Sequence, residues 1–308
     1  MADTLNIRCI ANKGFGSGSE LDSKKSDLYG RGVLTIAASA TFLFVPGARP
    51  DRFDKAVASG ADVVVLDLED AVAPDGKDAA RADVAAWLAT GARAMVRLNG
   101  TGTPWHADDV AAVSRAGCPV MLPKAESGRQ VAELAAALPP GTSIVPLVET
   151  ARGVRRAEEI CAAPGVVRPA FGSVDLAVDL QVDHTDDDAL RTARSELVLG
   201  ARSAGVSAPV DGVTTAVRDA DRLRADTVAG LALGLTAKLC IHPAQVDVVA
   251  AALRPTPEQL DRARAVVGAA RAGAVAVLDG ALVDKPVVDR ARALLARAGE
   301  SVDPDGTH

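Results

Sequence analysis

The chain has 308 residues, 48% of them hydrophobic, which is ample for a large buried core. Its net charge of −6 argues against a nucleic-acid surface, which would want clustered Lys and Arg. Aromatic residues make up only 3%, so Ala, Val and Leu must build the core, and stacking on bases or sugars has little to work with.

The first 32 residues are rich in Gly, Ser, Lys and Asp and include the run Gly14-Phe15-Gly16-Ser17-Gly18-Ser19. No period of 2 or 3.6 holds there, so an unordered arm is expected over 1–40. Its Asp3, Glu20, Asp22 and Asp27 stand where a secretory signal would carry basic charge. The longest apolar stretch, Val33–Ala48, holds Thr35, Ser39 and Thr41 and is too short for a membrane span. A cytoplasmic protein with no membrane or nucleic-acid partner is the expectation. None of Cys9, Cys118, Cys161 and Cys240 stands in a CxxC pair, and the last three fall in or beside apolar segments, as reduced core residues would.

From residue 41 short apolar runs alternate with longer helical patterns. The runs are Thr41–Pro46, Val63–Leu68, Ala94–Leu98, Pro119–Leu122, Ile144–Val148, Val166–Phe171, Ser207–Val210 and Ala237–Ile241. Each is mainly apolar, as strands buried on both faces of a parallel sheet should be. Between them, Ala-rich segments such as Arg52–Ser59, Lys77–Leu88, Ser127–Leu138, Ala151–Cys161, Asp188–Ala204 and Ala216–Ala229 carry apolar residues every three to four positions and predict helices. Eight such units predict a (β/α)8 barrel over 41–252. An open doubly wound sheet is the rival, but the turn after Phe44, Val45-Pro46-Gly47-Ala48-Arg49-Pro50, is no dinucleotide fingerprint. Helical patterns at Pro257–Ala272 and Pro286–Ala298, with an extended or hairpin-like link at 277–284, predict extra C-terminal helices over 253–308, ending in a short flexible tail.

Active sites of such barrels lie at the carboxyl ends of the strands. The polar residues there are Arg49, then Asp67, Glu69 and Asp70, then Arg97 and Asn99, Lys124, Glu149 and Thr150, Ser173 and Asp175, Asp211, and finally Lys238 and His242. Strand ends are often polar simply because the chain is leaving the core. Several carboxylates converging on one mouth nevertheless repel unless a cation sits among them, and Mg²⁺, which takes one or two carboxylates, is the natural candidate. His106 is expected in a loop after Pro104-Trp105, and His184 at an exposed helix start. A Schiff-base aldolase would need a lysine inside the barrel, for which Lys124 and Lys238 are the candidates. No Gly-x-Ser-x-Gly elbow follows a strand.

Seven stretches, in order, carry a resemblance. They are Leu-Phe-Val-Pro-Gly at 43–47, Asp-Leu-Glu-Asp-Ala-Val at 67–72, Arg-Leu-Asn-Gly at 97–100, Leu-Pro-Lys at 122–124, Glu-Thr-Ala-Arg-Gly at 149–153, Phe-Gly-Ser-Val-Asp-Leu at 171–176 and Lys-Leu-Cys-Ile-His-Pro at 238–243. Each alone is weak, but the ordered set over about 41–290 is similar to the citrate lyase beta-subunit-like group of the hydroxy-oxo-acid aldolase and lyase superfamily. The resemblance implies Mg²⁺ held by Glu149 and Asp175, and Arg97 on the reacting substrate. It implies Glu69 and Asp70 as catalytic neighbours of the metal, and Phe44, Arg49 and Lys55 near the CoA part. Asp284 matches an acid/base that some relatives take from a neighbouring subunit; it also suits a helix N-cap. By the same resemblance the chain is a homo-oligomer, a trimer or hexamer, that cleaves or forms a bond between an acyl thioester and a 2-oxo acid. Citramalyl-CoA and malyl-CoA are the leading substrates. The alternatives are a citrate lyase beta subunit acting on a carrier-bound citryl thioester, a free hydroxy-oxo-acid aldolase, and a barrel that binds without catalysis. One departure is the absence of the long C-terminal lid of malate-synthase-like relatives, which leaves the cover over the thioester short or borrowed from another subunit.

Overall fold

The computed structural model describes residues 36–271, 276–278 and 281–300. Eight parallel strands close on themselves: β1 (Thr41–Pro46), β2 (Val63–Asp67), β3 (Met95–Arg97), β4 (Val120–Leu122), β5 (Ile144–Val148), β6 (Ala170–Phe171), β7 (Val210–Asp211) and β8 (Ala237–Cys240), with β8 pairing back onto β1. Their residues are almost all buried because side chains fill the barrel on one face and helices cover the other. The helices are α1 (Phe53–Val57), α2 (Lys77–Ala89), α3 (His106–Ala116), α4 (Gly128–Ala137), α5 (Ala151–Arg155), α6 (Ala157–Cys161), α7 (Ser173–Leu180), α8 (Asp187–Ser203), α9 (Ala220–Leu233) and α10 (Val246–Leu253). The predicted barrel is therefore the fold.

Several boundaries differ from expectation, each for a local reason. His106 opens α3 rather than sitting in a loop; the helix ends at Gly117 in the left-handed conformation (φ 64°), a common helix stop. The pattern over 151–161 is two helices, broken at Arg156. The sixth run pairs regularly only at Ala170–Phe171, because Arg168 turns its side chain inward. Its guanidinium donates to the carbonyls of Ser39 (2.7 Å) and Ala208 (2.9 Å) and to Thr236 Oγ1 (3.0 Å). All three partners precede a strand, so Arg168 ties together the end of the barrel opposite the strands' carboxyl ends. The ninth helix starts at Ala220, where Asp219 accepts a hydrogen bond from the Arg222 N–H, four residues later than the periodicity suggests.

Cys118, Cys161 and Cys240 are buried free thiols, pushed up to about 12 by desolvation; Cys9 lies outside the described residues. Of the arm expected over 1–40, only 36–40 are described, with Ile36 buried. Beyond the barrel come α11 (Pro257–Arg271), the antiparallel pair β9 (Ala276–Leu278) and β10 (Ala281–Val283), and α12 (Lys285–Arg297). The expected link is thus a hairpin. Ala263, Val266, Val267, Val283, Val288, Ala291 and Leu295 give this extension a small core of its own, separate from the barrel core. Gly299 and Glu300 are the only described residues of the expected tail. No helix among the described residues is long and apolar enough to cross a membrane.

Candidate active site

Strand register decides which polar residues meet. Asp67 and Arg97 are direct cross-strand partners on β2 and β3. Arg97 donates to both Asp67 oxygens, from Nε (2.7 Å) and Nη2 (2.6 Å), a bidentate pair that fixes the guanidinium plane. Its Nη1 lies 3.0 Å from Glu69 and 3.4 Å from Asp70, and the group stacks over Phe44 at 4.9 Å. Burial works against this charge, but the Asp67 hydrogen bonds and the three carboxylates hold the Arg97 pKa above its ordinary value. One atom is left over: Glu69 Oε2, though close to Arg97, is buried with no aligned hydrogen bond.

On the far side of the mouth, Glu149 follows β5. It is 1% exposed, and its Oε1 accepts from the Lys124 N–H at 2.8 Å. Lys124 delivers that N–H from a left-handed backbone (φ 49°), a conformation a side-chain-bearing residue seldom adopts without a local reason. Desolvation pushes the Glu149 carboxyl up to about 8, and the nearby charges of Glu69 and Asp175 add to the shift. Burial likewise raises Glu69, against the pull of Arg97. Asp175 sits not at a strand end but in the first turn of α7, and lines the same cavity as Glu149. Gly172 itself has no room for a side chain: a Cβ there would lie 2.4 Å from Glu149 Cβ and 2.6 Å from its Oε2.

Phe44, Arg97, Glu149, Asp175, Asp67 and Asp70 share one cavity of about 440 Å³, otherwise walled mainly by apolar side chains from β5 to β8. Four carboxylates (Asp67, Asp70, Glu149, Asp175) and one guanidinium line it. Its buried Ser173 Oγ has no hydrogen-bond partner. Among the described residues no group of three or more His, Cys, Asp and Glu side chains forms a metal cage. Two carboxylates at an open cavity, one of them with its pKa raised by burial, instead suit a hard divalent cation that keeps its waters.

The other expected residues lie apart. Arg49 is half-exposed and forms a bidentate pair with Asp51, and Lys55 is exposed on α1. Asp284 caps α12, accepting from the Val287 N–H at 3.2 Å, and lines neither mouth cavity of this copy. Lys238 is not a free amine in the barrel. It is 1% exposed and donates to Asp211 (3.1 Å) and to the Gly212 carbonyl (2.8 Å), while Arg194 holds the other Asp211 oxygen. Lys124 Nζ is half-exposed, 3.4 Å from Glu69, and faces an adjoining cavity. His184 is half-buried against Thr215, and His242 caps the short turn at 243–245. Reading the sequence missed the Asp67 clamp, because register is not written in one strand, and the left-handed Lys124, which has no residue-type signal.

A closed eight-stranded α/β barrel with a carboxylate-rich mouth and one clamped arginine defines a barrel enzyme of the kind that works at its strands' carboxyl ends. Residues 40–243 match the HpcH/HpaI aldolase/citrate lyase family, and the chain belongs to it, as a lyase of the citrate lyase beta-subunit-like kind. A citrate lyase subunit beta-like protein of Mycobacterium tuberculosis is 41% identical over 274 residues, 86% of this chain and 97% of that one. A (3S)-malyl-CoA thioesterase of Cereibacter sphaeroides is 35% identical over 267 residues, covering 83% and 93%. The crystal structure of M. tuberculosis CitE in complex with magnesium, acetoacetate and coenzyme A superposes with a TM-score of 0.76 at 40% identity, covering 86% of this chain and 99% of that one.

Proposed function

We propose that the chain is a Mg²⁺-dependent carbon–carbon lyase that cleaves, or in reverse forms, a short 3-hydroxyacyl-CoA thioester such as citramalyl-CoA or malyl-CoA, giving acetyl-CoA and a 2-oxo acid. The observation that carries this is the charge count of the cavity, four carboxylates against one guanidinium already clamped by Asp67. A metal at Glu149 and Asp175 offsets most of that charge. Among the described residues no second cation lines the cavity to meet an oxo acid bearing another carboxylate, which favours a small monocarboxylic product over the citryl case. The relative bound to magnesium, acetoacetate and coenzyme A supports the reading.

Glu149 and Asp175 would hold Mg²⁺, which supplies Lewis acidity and a template for the carboxylate and adjacent oxygen of the oxo acid. Arg97, fixed in advance by Asp67, faces the negative charge that develops on the thioester oxygen as the carbon–carbon bond breaks. Cleavage removes the substrate's hydroxyl proton and adds one to the acetyl carbon. Glu69 and Asp70, beside Arg97, would handle the first proton, and Asp284 of another copy would deliver the second. Phe44 forms the floor under Arg97, and Arg49 and Lys55, on the surface after β1, would meet the CoA part.

The test is purified protein with Mg²⁺ and a panel of malyl-, citramalyl- and citryl-thioesters, with products separated by chromatography. Acetyl-CoA and a 2-oxo acid are expected from malyl- or citramalyl-CoA. No turnover on any of them, with unchanged Mg²⁺ affinity in Glu149→Ala, overturns the proposal. A preference for citryl thioester favours the carrier-bound reaction, and free CoA without acetyl-CoA favours hydrolysis.

A further inference from the structure

Lys77 is a cation in a place that should not favour one. It is the first residue of α2, where the helix dipole opposes positive charge, and it is 6% exposed. Its ammonium donates to two main-chain carbonyls, those of Leu68 (2.8 Å) and Glu69 (2.7 Å), and lies 5.3 Å from the centre of the Trp105 ring. No carboxylate side chain is bonded to it among the described residues. Two penalties and no salt bridge call for another return.

The carbonyls supply it. They belong to the turn that follows β2, whose side chains are Glu69 and Asp70. Three N–H groups of that turn are already taken: Glu69 and Ala71 donate to the Asp67 carboxylate, and Val72 donates to the Glu69 carbonyl. Lys77 holds the Leu68 carbonyl and adds a second donor to the Glu69 carbonyl, and so grips the peptide planes on either side of Glu69. On the turn so held, the Glu69 and Asp70 side chains lie 3.0 Å and 3.4 Å from Arg97. Through Trp105 the same ammonium also touches the loop after β3, the strand that carries Arg97. A compact ammonium can reach two carbonyls at once; a methionine of similar length fills the space and holds neither.

We propose that Lys77 is a positioning residue: its ammonium clamps the Leu68 and Glu69 carbonyls and thereby aims the Glu69–Asp70 carboxylates at Arg97. The inference rests on the lyase reading for its kinetic consequence and on geometry alone for its structural one. Lys77→Met is therefore measured two ways. Carbodiimide labelling of Glu69, followed by peptide mass mapping, reads the orientation of the carboxylate without any turnover; it is expected to rise about fivefold or more as the group swings away from Arg97. Steady-state kinetics are expected to show kcat down about thirtyfold or more, with KM for the thioester within about threefold and Mg²⁺ affinity not lowered, since the Lys124 N–H still holds Glu149 and withdrawing the Glu69 charge only eases its ionisation. Lys77→Gln keeps a donor nitrogen but loses the charge and is expected to fall between wild type and Met; it decides the matter should the Met variant not fold. Unchanged Glu69 labelling overturns the proposal, as does a kcat loss matched by equal losses of Mg²⁺ affinity and melting temperature, the pattern of a merely structural lysine. A wild type that turns over no thioester sinks the lyase reading and leaves the labelling to decide on Lys77.

Discussion

Glu149 sits where a carboxylate is uncomfortable. Burial, then the charges of Glu69 and Asp175, raise its pKa to about 8, while the Lys124 N–H offsets only part of that. The sign follows. For a carboxyl whose folded pKa is raised, the neutral form stabilises the metal-free fold fully below the ordinary pKa, and that contribution is lost as pH rises through about 8. A metal needs the ionised form and must displace the proton. Mg²⁺ affinity is therefore expected to climb by up to about tenfold per pH unit below this pKa and to level off above it. Calorimetric titration with Mg²⁺ between about pH 6 and about pH 9 checks this. Glu149→Gln is expected to bind weakly with a flat profile, and a steep profile in that variant would place the titrating group elsewhere. At this scale the sequence was informative about residue types but not about partners. Glu149, Asp175 and Arg97 stand out at the mouth, whereas Asp67 as the Arg97 clamp depends on a register shared by two strands.

Elements set the spacing that residues alone cannot. Strands β5 and β6 approach so closely at the mouth that position 172 has room only for a hydrogen atom beside Glu149. Gly172→Ala is expected to leave the barrel folded, because the β5–β6 pairs Leu147–Ala170 and Val148–Phe171 lie outside the clash. It is expected to push the Glu149 carboxyl out of place and lower Mg²⁺ affinity by about 10-fold or more; circular dichroism beside the same titration separates the two effects. The apolar runs announced all eight strands, since a strand buried on both faces has a signature of its own. The ends of the elements were less legible. The break at Arg156 and the late start at Ala220 come from caps and tertiary contacts, and Asp175 reached the mouth by opening a helix rather than by ending a strand.

Among the described residues one core lies between the barrel strands and their covering helices and another between α11, β10 and α12. Asp284 belongs to the second and lines neither mouth cavity of its own copy. If another copy supplies it, mixing Asp284→Asn with Glu149→Gln chains, each inactive alone, is expected to restore part of the turnover in mixed assemblies. For a trimer or hexamer, sedimentation velocity should find no monomer at working concentration. Absence of any recovery in assemblies shown to be mixed would confine the acid/base to one chain.

Arg168 has a consequence for traffic. It ties the approaches to β1, β7 and β8 across the end opposite the candidate site, so the mouth at the strands' carboxyl ends is where a ligand is expected to enter. If the proposed reaction runs at that mouth, with the oxo acid beside Glu149 and the acyl part above it, the two products are expected to leave in order, the acyl part first, and product-inhibition patterns check this.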